Sequence, residues 1–183
     1  TAGKVTIGTE AIGYSLKVTN NDNIEKTTNV PVGSSAYYLA NKLNTELAGT
    51  GVHGSASTKV LLGPFDDGVS GSITFDLKGK NTEAVSINAS IDASDISALA
   101  KRINEYSSQT GLSATVTGDF KKIIIESKDG YDINLKNITA PSDFTLEVFG
   151  KDYENLTEND SQRNSRLLID ISDTKKVSAN IKG

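Results

Sequence analysis

A six-residue pattern in this chain is written twice, sixty positions apart. Leu39-Ala40-Asn41-Lys42-Leu43-Asn44 returns as Leu99-Ala100-Lys101-Arg102-Ile103-Asn104, and Thr50-Gly51 returns at the same offset as Thr110-Gly111. Each copy opens on a serine, Ser34 or Ser94, and runs into a glycine, an apolar residue and a Ser/Thr-rich strand pattern. Self-similarity at a fixed period is the signature of a duplicated folding unit, and it constrains the architecture before any local reading does. The shared positions hold no reactive group, so the duplication points to scaffolding rather than to chemistry.

The second copy reads more clearly. Ile73, Phe75 and Leu77 alternate with polar residues, as do Val85, Ile87, Ala89 and Ile91, and Gly79-Lys80-Asn81 lies between them. Period-two alternation on both sides of a turn predicts a hairpin. Ser94 reads as a helix N-cap, since its hydroxyl can accept from N–H groups that the first turn leaves unpaired. Ile96, Leu99, Ala100, Ile103 and Tyr106 then share one helical face opposite Lys101, Arg102 and Glu105. Gly111 ends the helical region, Ala114 and Val116 lead to a tight turn at Gly118-Asp119, and Phe120 to Ser127 reads as a strand. Asp129-Gly130 is a hairpin-turn signal, because both residues tolerate positive φ, and Tyr131, Ile133 and Leu135 continue as a strand.

The first copy repeats this plan. Tyr14, Leu16 and Val18 alternate, and Val30 and Val32 flank Pro31, which places that strand at a sheet edge or at its end. Ala36, Leu39, Ala40, Leu43 and Leu47 form the stripe of a helix from Ser34, Gly49 and Gly51 stop it, and Val60 to Leu62 read as a buried strand. Gly63-Pro64 and Asp67-Gly68 separate the copies, which places the boundary at 63–70. Beyond Ala140, Phe144 to Val148, Leu167 to Ile171 and Val177 to Ile181 alternate around a polar loop from Asp152 to Ser165. The expected fold is α+β and β-rich. It has two ββαββ units, 1–64 and 71–139, each with one helix on an antiparallel sheet. A strand-and-loop tail, 140–183, closes against the opening strand at Val5 and Ile7, so that Thr1 and Gly183 lie together.

Composition narrows the function. Hydrophobic residues make up 36% of the chain and aromatics 6%, which suits thin β-rich modules better than one deep core. There is no cysteine, so disulfides, thiolate metal sites and thiol nucleophiles are excluded. No apolar run approaches the length of a bilayer span. A net charge of −4 with scattered lysines gives no footprint for nucleic acid. The chain opens on Thr1 and holds no methionine, and is expected to be a piece of a longer protein.

Candidate sites are few. The one histidine, His53, sits in a strand pattern, and no serine lies in a nucleophile-elbow motif. Asp66-Asp67 and Glu154/Glu158 are the nearest approach to paired carboxylates, and turn acids of this kind are solvated. Asn20 to Asn23 and Asp66-Asp67 offer hard oxygen ligands without an EF-hand pattern. Gly49-Thr50-Gly51 follows a helix, the wrong side for an N-terminal anion site. Asn-x-Ser/Thr sequons occur at Asn88, Asn137, Asn155 and Asn159, and Tyr37-Tyr38 is the only adjacent aromatic pair among the tyrosines. No catalytic, cofactor-binding or metal residue is assigned, and no cofactor is expected.

The stretch from about 71 to 137 resembles the flagellin hook IN motif. Asp95 to Asn104, Thr110-Gly111-Leu112-Ser113-Ala114-Thr115-Val116 and Ile123-Ile124-Ile125-Glu126-Ser127 carry the resemblance. The first copy matches mainly at Leu39 to Asn44 and Thr50-Gly51-Val52. Asn88-Ala89-Ser90 stands where the family commonly has an Asn-Gly turn, and the long terminal helices that polymerise flagellins are absent from this sequence. The resemblance implies the outer, surface-exposed region of a flagellin: extracellular, non-catalytic and antigenic, with neighbouring flagellin subunits as partners. It also implies O-linked glycans on serine or threonine, and a monomeric isolated fragment. A flagellar cap or hook-associated protein carries the same repeat and is the nearest alternative. A carbohydrate- or surface-binding adhesin module is the alternative from another class.

Overall fold

Residues 3–7, 14–19, 25–31, 34–46, 48–49, 52–148 and 165–171 are described by a computed structural model. The strands of the first part are β1 (Gly3–Ile7), β2 (Tyr14–Thr19) and β3 (Glu25–Val30), followed by helix α1 (Ala36–Glu46) and the long strand β4 (Val52–Phe65). The second copy supplies β5 (Ser70–Lys78), β6 (Val85–Asp92), α2 (Ser97–Asn104), the one-turn α3 (Ser107–Thr110), β7 (Leu112–Val116), β8 (Ile123–Ser127) and β9 (Ile133–Thr139). Strands β10 (Phe144–Val148) and β11 (Ser165–Ile171) complete it. One sheet has the order β1-β9-β5-β6. The other runs β10-β4-β8-β7 with β11 also on β4, and β2 and β3 form a separate hairpin. All these pairings are antiparallel, so the chain is α+β and β-rich as its alternation predicts.

The alternation places the core. Ile73, Phe75 and Leu77 of β5 bury one face, joined by Ile87 and Ile91 of β6 and Ile133 and Leu135 of β9. Val60 and Leu62 of β4, Leu112 of β7 and Ile123 and Ile125 of β8 face them from the second sheet, and Leu99, Ala100 and Ile103 of α2, with Ile96 just before it, close the same core. The repeat is faithful on the helices: Leu39, Ala40 and Leu43 are buried, as are Leu99, Ala100 and Ile103. The serines first read as caps do not serve as such, and the side chains bonded at the helix starts lie one residue further on. Ser35 Oγ accepts the Tyr38 N–H at 3.1 Å, whereas Ser34 Oγ donates to the Pro31 carbonyl. Asp95 accepts from the Ser97 N–H and hydroxyl at the start of α2, whereas Ser94 is bonded back to Asp92. Ser35 and Asp95 again differ by sixty.

The same offset recurs in a contact that no local pattern announces. Asn104, the last residue of α2, accepts the Ala114 N–H on Oδ1 and donates from Nδ2 to the Ala114 carbonyl, both at 2.8 Å. In the first copy Asn44 holds Gly54 in the same way, at 2.7 and 2.8 Å. Each carboxamide therefore pairs both backbone groups of one strand residue, as a neighbouring strand would.

Several strand pairings differ from the expected ones. Val60 to Leu62 belong to one strand that continues through Gly63-Pro64 to Phe65 and passes from one copy to the other. It pairs β11 over Val52 to Thr58, β8 over Thr58 to Leu62 and β10 over Val60 to Phe65. A Cβ on Gly63 would lie 2.6 Å from the Lys121 carbonyl oxygen, so the glycine serves a close approach rather than a break. Phe120 lies in the β7–β8 turn with φ 60 and is 52% exposed, because Thr117 and Asp119 tie that turn through Lys122 and Lys121. Asp129-Gly130 turns the chain as expected, with Gly130 at φ 83, yet it sends β8 and β9 into different sheets rather than into a hairpin. The opening strand pairs β9, with Val5 opposite Leu135 and Ile7 opposite Ile133. Residues 177–181 and both chain ends lie outside the described residues.

Two outcomes test this packing in urea unfolding. Leu99→Ala, at a fully buried site, should cost about 2–5 kcal/mol, and Lys101→Ala on the exposed face less than about 0.5 kcal/mol. Asn104→Ala removes both partners of Ala114 and should cost about 1–3 kcal/mol, the sum for two net hydrogen bonds. A loss below about 0.5 kcal/mol would show that the clamp is ornamental.

Candidate functional site

The residues singled out for chemistry are dispersed. His53 is exposed on β4, opposite Asp170 in the register of β11. Asp66 and Asp67 are exposed in the β4–β5 turn, where Lys121 Nζ lies 3.3 Å from Asp67. Among the described residues no group of three or more His, Cys, Asp or Glu side chains could hold a metal ion. Asn88 is exposed on β6. Asn137 sits at φ 54 on β9 and donates from Nδ2 to Asp76 at 2.7 Å. Asn155, Asn159, Glu154, Glu158 and Asn20 to Asn23 lie outside the described residues.

Three acids of the second copy, Asp92, Asp95 and Asp119, are committed to turns. Hydrogen bonds from the Ser94 hydroxyl and N–H hold the Asp92 carboxyl below the usual carboxylate range, and Ser97 does the same for Asp95. The Thr117 hydroxyl lowers Asp119 likewise. A carboxylate stabilised in its charged form by neutral donors is a turn fastener and a poor general acid at neutral pH.

Where the two copies meet, side chains do converge. The Tyr37 N–H donates to the Gly130 carbonyl at 2.9 Å, and the Tyr37 ring stacks on that of Tyr131 with centroids 4.0 Å apart and planes 18° apart. The Tyr131 N–H is held by Ser127 Oγ at 2.9 Å, which fixes the ring at the exit of the turn. A hydrogen bond with the Tyr37 phenol, then burial, then the charge of Asp129, pushes the Tyr131 hydroxyl up to about 12. Gly130 is required here: a Cβ would come within 2.6 Å of Ala56 Cβ and 2.9 Å of the Tyr37 nitrogen. Beside this seam opens a shallow cleft of about 220 Å³, lined by Tyr37, Asn44, Gly54, Ser55, Lys128 and Asp129 among others. The arrangement fastens α1 of the first copy to the β8–β9 turn of the second. Tyr37-Tyr38 had stood out only as an adjacent pair. Tyr38 is 45% exposed and Tyr37 turns inward to a partner far along the chain, a contact that local spacing cannot signal.

Comparison with known proteins bears on the second copy. No curated protein matches the chain. Among solved structures, the crystal structure of the flagellar cap protein FliD from Helicobacter pylori aligns with 94% of this chain at 12% identity and a TM-score of 0.30. The chain spans 58% of the length of that protein. Residues 72–129, from β5 through the turn after β8, match the family model of the flagellin hook IN motif.

Proposed function

We propose that this chain is a non-catalytic, surface-exposed part of a bacterial flagellin, displayed on the outside of the filament. In this reading residues 1–64 and 71–139 are two units of one kind and 140–183 complete them. The observation that carries it is the IN-motif match over 72–129 together with the recurrence of the asparagine clamp at Asn44. The same clamp occurs in a stretch that the family model leaves unmatched, which supports the reading of two related units.

The mechanism is mechanical. Strand β4 runs from the helix of the first copy into the core of the second, and the Tyr37–Tyr131 seam fastens the copies at a second point. A stiff β-rich body of this kind would set the width and surface chemistry of a filament and present its antigenic face, with neighbouring subunits as partners. Exposed hydroxyls such as those of Ser86 and Ser90 on β6 offer sites for O-linked glycans.

Immunogold labelling of cells that produce the parent protein tests this reading, using antibody raised against the chain. Label along the whole filament is expected. Label confined to the filament tip would make the protein a cap, and label on the cell surface without flagella would favour an adhesin.

A further inference from the structure

We propose that Tyr37 and Tyr131 form an oxidative cross-linking site, at which a one-electron oxidant of the haem-peroxidase class, supplied with hydrogen peroxide, joins the two copies through a dityrosine bond. Three observations converge on this pair. Its rings are stacked 4.0 Å apart and only 18° from parallel. A stack this close brings the ring carbons of the two phenols within reach of each other. Both rings are partly exposed and Tyr37 lines the open cleft, which lets an oxidant take electrons without unfolding the chain. Backbone anchors on both sides, Tyr37 N–H to Gly130 and Tyr131 N–H to Ser127, keep the rings from swinging apart once radicals form. The chain has no cysteine, so no disulfide can supply a covalent staple between the copies.

The chemistry balances. Each phenol gives up its hydroxyl hydrogen atom to the oxidant, leaving a phenoxyl radical with spin density at the ortho carbons. The two radicals pair to form one C–C bond. The displaced ortho hydrogens move as protons to the oxygens and restore two phenols. The oxidant returns to its resting state, and one hydrogen peroxide has been reduced to two waters by the two hydrogen atoms removed.

The test treats the intact chain, dilute, with a haem peroxidase and hydrogen peroxide. It reads dityrosine fluorescence, molecular size on a denaturing gel and the masses of proteolytic peptides. The expected product is a monomer in which the peptides holding Tyr37 and Tyr131 are joined and lighter by two hydrogen atoms. Tyr37→Phe and Tyr131→Phe should each reduce that product to background, and Tyr38→Phe should leave it unchanged. The phenylalanine variants keep the ring stack, and circular dichroism would check that they fold. Absence of the 37–131 peptide from the folded wild-type chain would overturn the proposal. So would a product dominated by links between chains through Tyr38.

Discussion

A single carboxamide does the work of a missing strand. The outward edge of β7 would otherwise present the N–H and C=O of Ala114 to solvent, and Asn104 pairs both. Two residues earlier the Leu112 N–H is taken by Thr110 Oγ1 at 3.1 Å, so the same edge is blunted twice. Unpaired strand edges invite pairing with other chains, and side-chain pairing of this kind removes the invitation. It also sets where the helix sits. With the end of α2 tied to the strand, Leu99 and Ile103 have no freedom to leave the core they fill.

Among the described residues the two copies pack differently. The second gathers large apolar side chains from two sheets and a helix, whereas the first adds a small cluster of Ala36, Ala40 and Ala56. Gly54 stands where the second copy has Ala114, and a Cβ there would meet the Ala40 carbonyl at 3.2 Å and Leu43 Cβ at 3.3 Å. Helix α1 lies that close to β4 because the strand is bare at this point. The first copy also buries Leu39 and Leu43 of α1 beside these alanines. It draws on the other through β4 and through the seam at Gly130, Tyr37 and Tyr131.

The helices and their buried faces were legible in the sequence because the sixty-residue offset and the 3.6-residue period point to the same positions, Leu39 with Leu99 and Leu43 with Ile103. The role of Asn44 and Asn104 was visible only as repeated letters, since the contact spans ten positions and depends on where a strand edge lies. Asp129-Gly130 signalled a reversal, but a turn dipeptide fixes backbone dihedrals and does not say whether the strands it joins will pair. Gly63-Pro64 looked like punctuation and proved to lie inside a strand, since the glycine answers to the neighbouring Lys121 backbone. The Tyr37–Tyr131 seam was illegible for the same reason as the clamps: it joins distant segments through tertiary placement.

Hydrogen exchange at two amides tests the central claim most directly. The Gly54 and Ala114 N–H groups donate to the side chains of Asn44 and Asn104. If one device built both copies, both amides exchange slowly under native conditions, as interior ladder amides do. Rapid exchange at both, at the rate of solvated strand-edge amides, would contradict the account, and rapid exchange at Gly54 alone would confine the device to the second copy.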